Sequence, residues 1–417
     1  MKAEILCVGT ELLLGDIVNT NAAFLSRELA GLGINVYHQS VVGDNSDRLK
    51  ICLKESLKNN DIVITSGGLG PTYDDLTKET AAELFGLELK FDEASMKHIE
   101  EYFAKINRPM TESIKKQAYI PDGAIALKND CGTAPGVFIE KNGKVLVLLP
   151  GPPREIEPMF INYVSPLLQK FTGKTMFSRT VHIFNMGESA VEAKLHDIMT
   201  TLTNPTLAPY AKDGEVLLRI TASADSKENA EKMIEPVLKD IENIIGIDNI
   251  YGVDVGNLQT ALVRKLKEKK LKIATAESIT GGLVSKRITE VSGSSEVLEC
   301  GICSYSNRIK HEVLGVTKET LEKFSEYSRE CAIEMANGVR RLSGADIGIS
   351  TTGIAGPGGG TKEKPVGLVY VGVSVGDYSF AEELHLSRGF SDERELIRYL
   401  ASSHALYLAL KCVDKKI

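Results

Sequence analysis

The stretch Lys272-Ile273-Ala274-Thr275-Ala276-Glu277-Ser278-Ile279-Thr280-Gly281-Gly282 carries the residues best suited to chemistry. It reads as an apolar strand that breaks at a hydroxyl-rich turn and opens a helix near Gly281. A serine there meets unpaired N–H groups and the positive end of a helix dipole. Such a place can bind an anion, or stabilise the oxyanion formed when the serine attacks a carbonyl. The competing role is an N-cap, in which Ser278 and Thr280 only satisfy the first helical donors. Two further strand ends supply partners. Residues 303–310 bring a phenol, Tyr305, and an amine, Lys310, either of which can act as base. Residues 350–361 form the most glycine-dense loop, with Gly356, Gly358 and Gly359, and Arg394 opens the last helix. A serine, a base, a glycine nest and an arginine suit acyl transfer on a phosphorylated substrate.

A second constellation lies near the start of the chain. Gly9, Thr10, Glu11 and Asn19 follow the first strand, and Gly67, Gly68, Gly70 and Thr72 follow the third, beside Asp74 and Asp75. Glycines let backbone N–H groups approach a phosphate. The two aspartates suit a hard divalent metal shared with a pyrophosphate. Adjacent side chains in an extended segment point opposite ways, so Asp75 is expected to face the ligand more than Asp74. Gly132 and Thr133 in one turn, and Arg154 in another, are candidate outer walls of that pocket. The alternative is a set of tight turns with capping aspartates.

The elements that position these residues fall into three groups. Residues 1–168 alternate strand and helix: strands over 3–8, 35–42, 61–65, 136–140 and 144–149, with helices over 21–32 and 46–59. That rhythm predicts a doubly wound, mainly parallel sheet with sites at its carboxyl edge. Residues 169–253 predict a small α+β module of split βαβ type: strands over 176–184, 215–224 and 249–251, a helix opening at Ser189 and a second over 226–245. Ser189-Ala190-Val191-Glu192 reads as a capping box opening the first of those helices. Residues 252–256 are the expected linker. Residues 254–417 begin with a helix near Asn257 and predict strands over 272–276, 299–305, 347–352, 367–375 and 379–386, closed by a helix over 394–411.

Composition narrows the classes. At 417 residues, two or three domains are expected. A formal net charge of −7 argues against direct nucleic-acid binding through a basic face. No apolar run is long enough for a membrane span and the first residues show no signal-peptide pattern, so a cytoplasmic location is expected. The seven cysteines are scattered; Cys300 and Cys303 form a lone C-x-x-C and read as small core residues rather than zinc ligands.

Taken together, these motifs resemble the CinA family over essentially the whole chain. Residues 9–21 and 65–77 resemble its molybdopterin-binding-type N-terminal domain. Gly187-Glu188-Ser189, residues 208–212 and Gly214-Glu215-Val216 are similar to its small KH-like middle domain. Ala276-Glu277-Ser278, Thr280-Gly281-Gly282, Tyr305-Ser306-Asn307, Lys310 and residues 353–359 resemble its C-terminal domain. The resemblance implies a nicotinamide-nucleotide amidohydrolase in the C-terminal domain, a metal-dependent ADP-ribose pyrophosphatase in the N-terminal one, and a homodimer. On that reading Ser278 attacks nicotinamide mononucleotide, Lys310 or Tyr305 moves the proton, and N–H groups at Thr280–Gly282 hold the oxyanion. The 356–360 loop and Arg394 would then hold the phosphate. Asp74 and Asp75 would bind the metal, and the deamidase would need no cofactor. Ile279 stands where many relatives carry Cys, which argues against a nucleophile at that position. The alternatives are a non-catalytic nucleotide- or pterin-binding scaffold tied to competence or DNA damage, or a first domain that only binds nucleotide.

Overall fold

In the computed structural model, which describes residues 1–172 and 175–414, the chain divides into two compact units. One comprises residues 1–178 with 221–233, the other 179–220 with 234–417.

The first unit starts with β1 (Lys2–Val8), the short α1 (Thr10–Leu14), α2 (Thr20–Gly31), β2 (Asn35–Val42), α3 (Ser46–Asn59) and β3 (Ile62–Ser66). Next come α4 (Thr77–Phe85), β4 (Leu89–Phe91), α5 (Glu93–Lys105), β5 (Tyr119–Pro121), β6 (Ile125–Leu127), β7 (Gly136–Lys141) and β8 (Lys144–Leu149). The segment closes with α6 (Pro153–Met159) and α7 (Ser165–Thr172), joined by one π-helical stretch. Its main sheet has the order β2-β1-β3-β8-β7-β6. The first four strands run parallel, β7 pairs antiparallel with β8, and β6 antiparallel with β7. Side chains alternate across it because a strand's period is two. Ile5, Ile64 and Val147 pack with Leu25 and Phe160 on one face, while Leu6, Val63 and Leu146 pack with Leu53 and Val137 on the other. A sheet buried on both faces is the doubly wound architecture expected. β1, β3 and β8 are neighbours, so the loops after them share one edge.

The middle segment contains β9 (Thr175–Phe184), α8 (Glu188–Thr201), β10 (Thr206–Lys212), β11 (Glu215–Ala224), α9 (Lys227–Ile245) and β12 (Ile250–Val253). The sheet order is β10-β11-β9-β12. One expectation is corrected here, and one strand is new. Ser189 does not open α8: Gly187 is its N-cap and no side chain caps it. Strand β10, unremarked in the sequence, holds Pro209, which a sheet tolerates at an edge because no ladder N–H is needed there.

The last segment contains α10 (Leu258–Lys269), capped by Asn257, then β13 (Ile273–Glu277), α11 (Leu283–Thr289), β14 (Leu298–Cys303), α12 (Asn307–Glu312) and α13 (Lys318–Lys323). It ends with α14 (Arg329–Ser343), β15 (Ile347–Gly353), β16 (Leu368–Val375), β17 (Tyr378–His385) and α15 (Arg394–Asp414). The sheet order is β14-β13-β15-β16-β17. β13 lies between β14 and β15, parallel to both. α14 covers one face, where Met335 and Val339 meet Ala274 and Ala276; α10 and α15 cover the other, where Leu262 and Leu406 meet Ile273 and Ile347. Among the described residues, no helix is long and apolar enough to cross a membrane.

Candidate active sites at two parallel-sheet edges

Because β13, β14 and β15 are adjacent and parallel, their carboxyl ends deliver Ser278, residues 304–310 and residues 353–360 to one place. A cavity of about 150 Å³ opens there, lined by Ser278, Ile279, Tyr305, Asn307, Lys310, Glu326, Tyr327, residues 353–356, Gly358, Gly359 and Arg394. Ser278 is fixed by its N–H, which donates to the Thr351 carbonyl at 2.9 Å. Lys310 is only 1 % exposed, and its Nζ lies 3.0 Å from Ser278 Oγ and 2.9 Å from the Ser304 carbonyl. Burial pushes the Lys310 amine below its ordinary value, which favours the neutral form a base needs. Tyr305, the other candidate base, is 68 % exposed and accepts from Arg394 Nη2 at 3.4 Å. Arg394 also donates to the Gly356 carbonyl at 2.7 Å, tying the start of α15 to the glycine loop.

The turn after β13 is wired differently from the sequence expectation. The helix starts at Leu283, with Gly281 and Gly282 at φ 59 and 95. Its first donors do not point at a substrate. The buried Glu277 carboxylate accepts from Val284 N–H at 3.0 Å, Ser285 N–H at 2.8 Å and the Ser285 and Thr280 hydroxyls at 2.6 Å each. A carboxylate thus neutralises the helix start. Arg398 donates to the Ile279 and Thr280 carbonyls from behind. Thr280, Gly281 and Gly282 stay outside the cavity lining, whereas Ile279 belongs to it. Glu277, Glu326, Tyr327 and Arg398 were not singled out in the sequence. Only Glu277, beside the serine in a quoted motif, carried any local signal.

In the first unit the loops after β1, β3 and β8 interlock. Asn21 Nδ2 donates to Ser66 Oγ at 2.9 Å and to the Gly151 carbonyl at 2.6 Å. Gly67 N–H donates to the Leu149 carbonyl at 2.9 Å, and a Cβ on Gly67 would run into the Val8 carbonyl. Thr10 N–H is held by Asp44 at 2.8 Å, Glu11 folds over Gly9, and Asn19 caps α2. Asp74 and Asp75 do not diverge as the extended-segment argument requires. The chain turns there, and the Thr72 hydroxyl sits between Asp74 Oδ1 and Asp75 Oδ2, with Thr72 N–H donating to Asp75 Oδ2 at 3.0 Å. That hydroxyl holds the Asp74 carboxyl below the usual range. Asp75 also packs against Gly70, and Lys116 donates to the Thr72 and Asp75 carbonyls. Gly132 lies against Glu155, whose carboxylate accepts from Asn129 at 2.8 Å. Thr133 lines another cavity, of about 410 Å³, with Ser95, His98 and Lys128. Arg154 extends outward, 76 % exposed.

Among the described residues, no group of three or more His, Cys, Asp or Glu side chains could hold a metal. Asp74 and Asp75 bring two carboxylates together at the Thr72 hydroxyl, a donor pair whose chemistry suits a hard cation only if further ligands come from outside the protein.

Comparison with known proteins places this architecture in a class joining three modules. Residues 4–170 match the probable molybdopterin binding domain, residues 178–252 the damage-inducible protein CinA KH domain, and residues 256–413 the CinA C-terminal domain. The chain is 55 % identical to a putative competence-damage inducible protein of Clostridium acetobutylicum, over 90 % of this chain and 91 % of that one. It is 52 % identical to a CinA-like protein of Kosmotoga olearia, over 97 % of each. A solved CinA structure from Thermoplasma acidophilum is 35 % identical, covering 41 % of this chain and 99 % of that one, with a TM-score of 0.37. The chain belongs to the CinA family.

Proposed function

We propose that the C-terminal site deamidates nicotinamide mononucleotide to nicotinate mononucleotide and ammonia. The observation that carries this reading is the buried Lys310 amine 3.0 Å from the Ser278 hydroxyl, at a cavity that also presents an arginine and a glycine loop. Neutral Lys310 takes the Ser278 proton as Oγ bonds to the carboxamide carbon. The same proton then passes to the amide nitrogen, the C–N bond breaks, and ammonia leaves an acyl-serine. Water cleaves that ester, giving the carboxylate and restoring Ser278. Ile279 and the 353–356 backbone form the wall against which the oxyanion develops, and Arg394 with Tyr305 receives the phosphate. Ser278→Ala is expected to reduce ammonia release at least about 10³-fold. Losing its hydrogen bond with Lys310 would cost stability only about 1 kcal/mol. A variant that deamidates at near wild-type rate would overturn the nucleophile assignment.

For the first unit we infer hydrolysis of ADP-ribose to AMP and ribose 5-phosphate. Asp74 and Asp75 would hold a divalent cation, which offsets charge on the pyrophosphate. Gly67–Gly70 would cradle the phosphates, and Lys116 keeps the Thr72–Asp75 turn in place. Since both carboxylates meet at one hydroxyl, Asp74→Ala and Asp75→Ala should each lower AMP formation by 10²-fold or more, with deamidation unchanged. Calorimetry with the metal and ADP-ribose would separate lost binding from lost turnover. Full activity in both variants would leave these aspartates as turn residues. We place the protein in the cytoplasm as a homodimer, on the family resemblance.

A further inference from the structure

The turn at 324–328 presents two side chains to the C-terminal cavity that the acyl transfer does not use. Ser325 holds φ 74, a left-handed conformation that a residue with a side chain keeps only where its surroundings enforce it. The enforcing contacts are specific. Tyr327 N–H donates to Ser325 Oγ at 3.2 Å, and Ser328 Oγ donates to the Ser325 carbonyl at 2.9 Å. From the glycine loop, Lys364 Nζ donates to the Phe324 carbonyl at 2.7 Å and to Ser325 Oγ. From the end of β15, Thr352 Oγ1 donates to the Glu326 carbonyl at 2.6 Å. The next two side chains, Glu326 and Tyr327, both line the cavity. Among the described residues no lysine or arginine forms a salt bridge with the Glu326 carboxylate, although Lys310 and Arg394 line the same space and the Glu326 charge acts on the Lys310 amine. Burial, the Glu326 charge and a hydrogen bond to Glu326 push the Tyr327 phenol up, so it stays neutral and donates to that carboxylate.

We propose that Glu326 is the specificity-determining residue by which this site selects a carboxamide carried on a cationic ring over the same carboxamide on a neutral ring. The proposal rests on the deamidase reading. A carboxylate with no salt-bridge partner in a small, half-enclosed space attracts a delocalised cation, and the aromatic residues Tyr305 and Tyr327 line the same cavity. Arg394 offers the opposite charge for the phosphate, so the cavity is matched to a ligand with a positive head and a negative tail. A pyridinium nucleotide has that distribution. Its 1,4-dihydro form keeps the carboxamide, ribose and phosphate but loses the positive charge.

The test is affinity, measured by calorimetry on the full chain in a Ser278→Ala background so that nothing turns over. Nicotinamide mononucleotide and its 1,4-dihydro form are compared, with Glu326, E326Q and E326D. With Glu326 present, the pyridinium should bind about tenfold more tightly or better. E326Q should lose most of that preference by weakening the pyridinium alone, and E326D, which keeps the charge, should retain it. No preference with Glu326 present, equal losses for both ligands in E326Q, or E326D behaving as E326Q would each overturn the proposal. Ammonia release by the wild-type protein is recorded alongside. Its absence would overturn the deamidase reading, while the affinity ratio still decides the role of Glu326.

Discussion

Lys310 illustrates how one residue's surroundings set a reaction's pH range. Its amine is enclosed between Ser278 Oγ and the Ser304 carbonyl, and burial lowers its pKa below the ordinary lysine value of 10.5. The neutral amine is the active form, so deamidation should rise with pH through an ionisation below 10.5 and fail on the acid side. Lys310→Arg, permanently charged, should lose about 10³-fold or more across the whole range. The same shift predicts a stability effect. Between the native pKa and 10.5 the unfolded chain binds more protons, so stability rises with pH there and is lost as pH falls through the native value. Unfolding midpoints measured against pH should show that slope in the wild type and a flatter one in Lys310→Met. A slope unchanged by the substitution would assign it to another group.

At the scale of elements, the turn between β13 and α11 depends on Glu277. Glu277→Ala would strip the acceptor from two N–H groups and three hydroxyls in a buried place, costing roughly 3 kcal/mol or more. Denaturant unfolding checks this; a loss under about 1 kcal/mol would show that water replaces the carboxylate. Why the sequence suggests a different wiring is physical. Strand β13, its neighbours and the residues at their ends are legible from apolar runs ending in hydroxyls and glycines, a local pattern. Which carboxylate reaches the first donors of α11 is decided by tertiary packing, and local spacing points equally to a serine cap. Pro209 hides β10 for the converse reason: proline argues against a strand until an edge position removes the need for its missing donor. The Asp74–Asp75 divergence fails because it assumes an extended segment where Thr72 makes a turn. Glu326 has no motif; only the left-handed Ser325 aims it.

For the whole molecule, the motifs of the two proposed reactions fall in different compact units, each with its own cores. A fragment from Val255 onward should keep ammonia release within a few-fold, since every residue lining that cavity lies beyond it. It should melt lower than the full chain. Phe184 packs on Tyr407 and His404, Tyr407 Oη donates to the Asp248 carbonyl at 2.6 Å, and Arg388 pairs with Asp213 at 3.1 Å. Cutting there bares the apolar side of α15. A folded fragment without activity would mean that the middle segment completes the site. Three adjacent parallel strands explain why a cluster spread over 117 positions, from Ser278 to Arg394, is readable from the sequence: all the signals end strands or start the closing helix.

The cavity's size carries a consequence for what else the protein accepts. Pockets that engulf a drug-sized molecule run from about 300 Å³ upward, and this one encloses about 150 Å³. On the proposed function it would take in a head group and leave the remainder of a nucleotide at the rim, against the exposed Arg394 and Gly358–Gly359. Scrutiny is therefore strict at one end of the ligand and lax at the other. Variants altered only beyond the phosphate should pass as substrates, so the protein would tolerate a range of tails in a mixed pool while refusing a changed head.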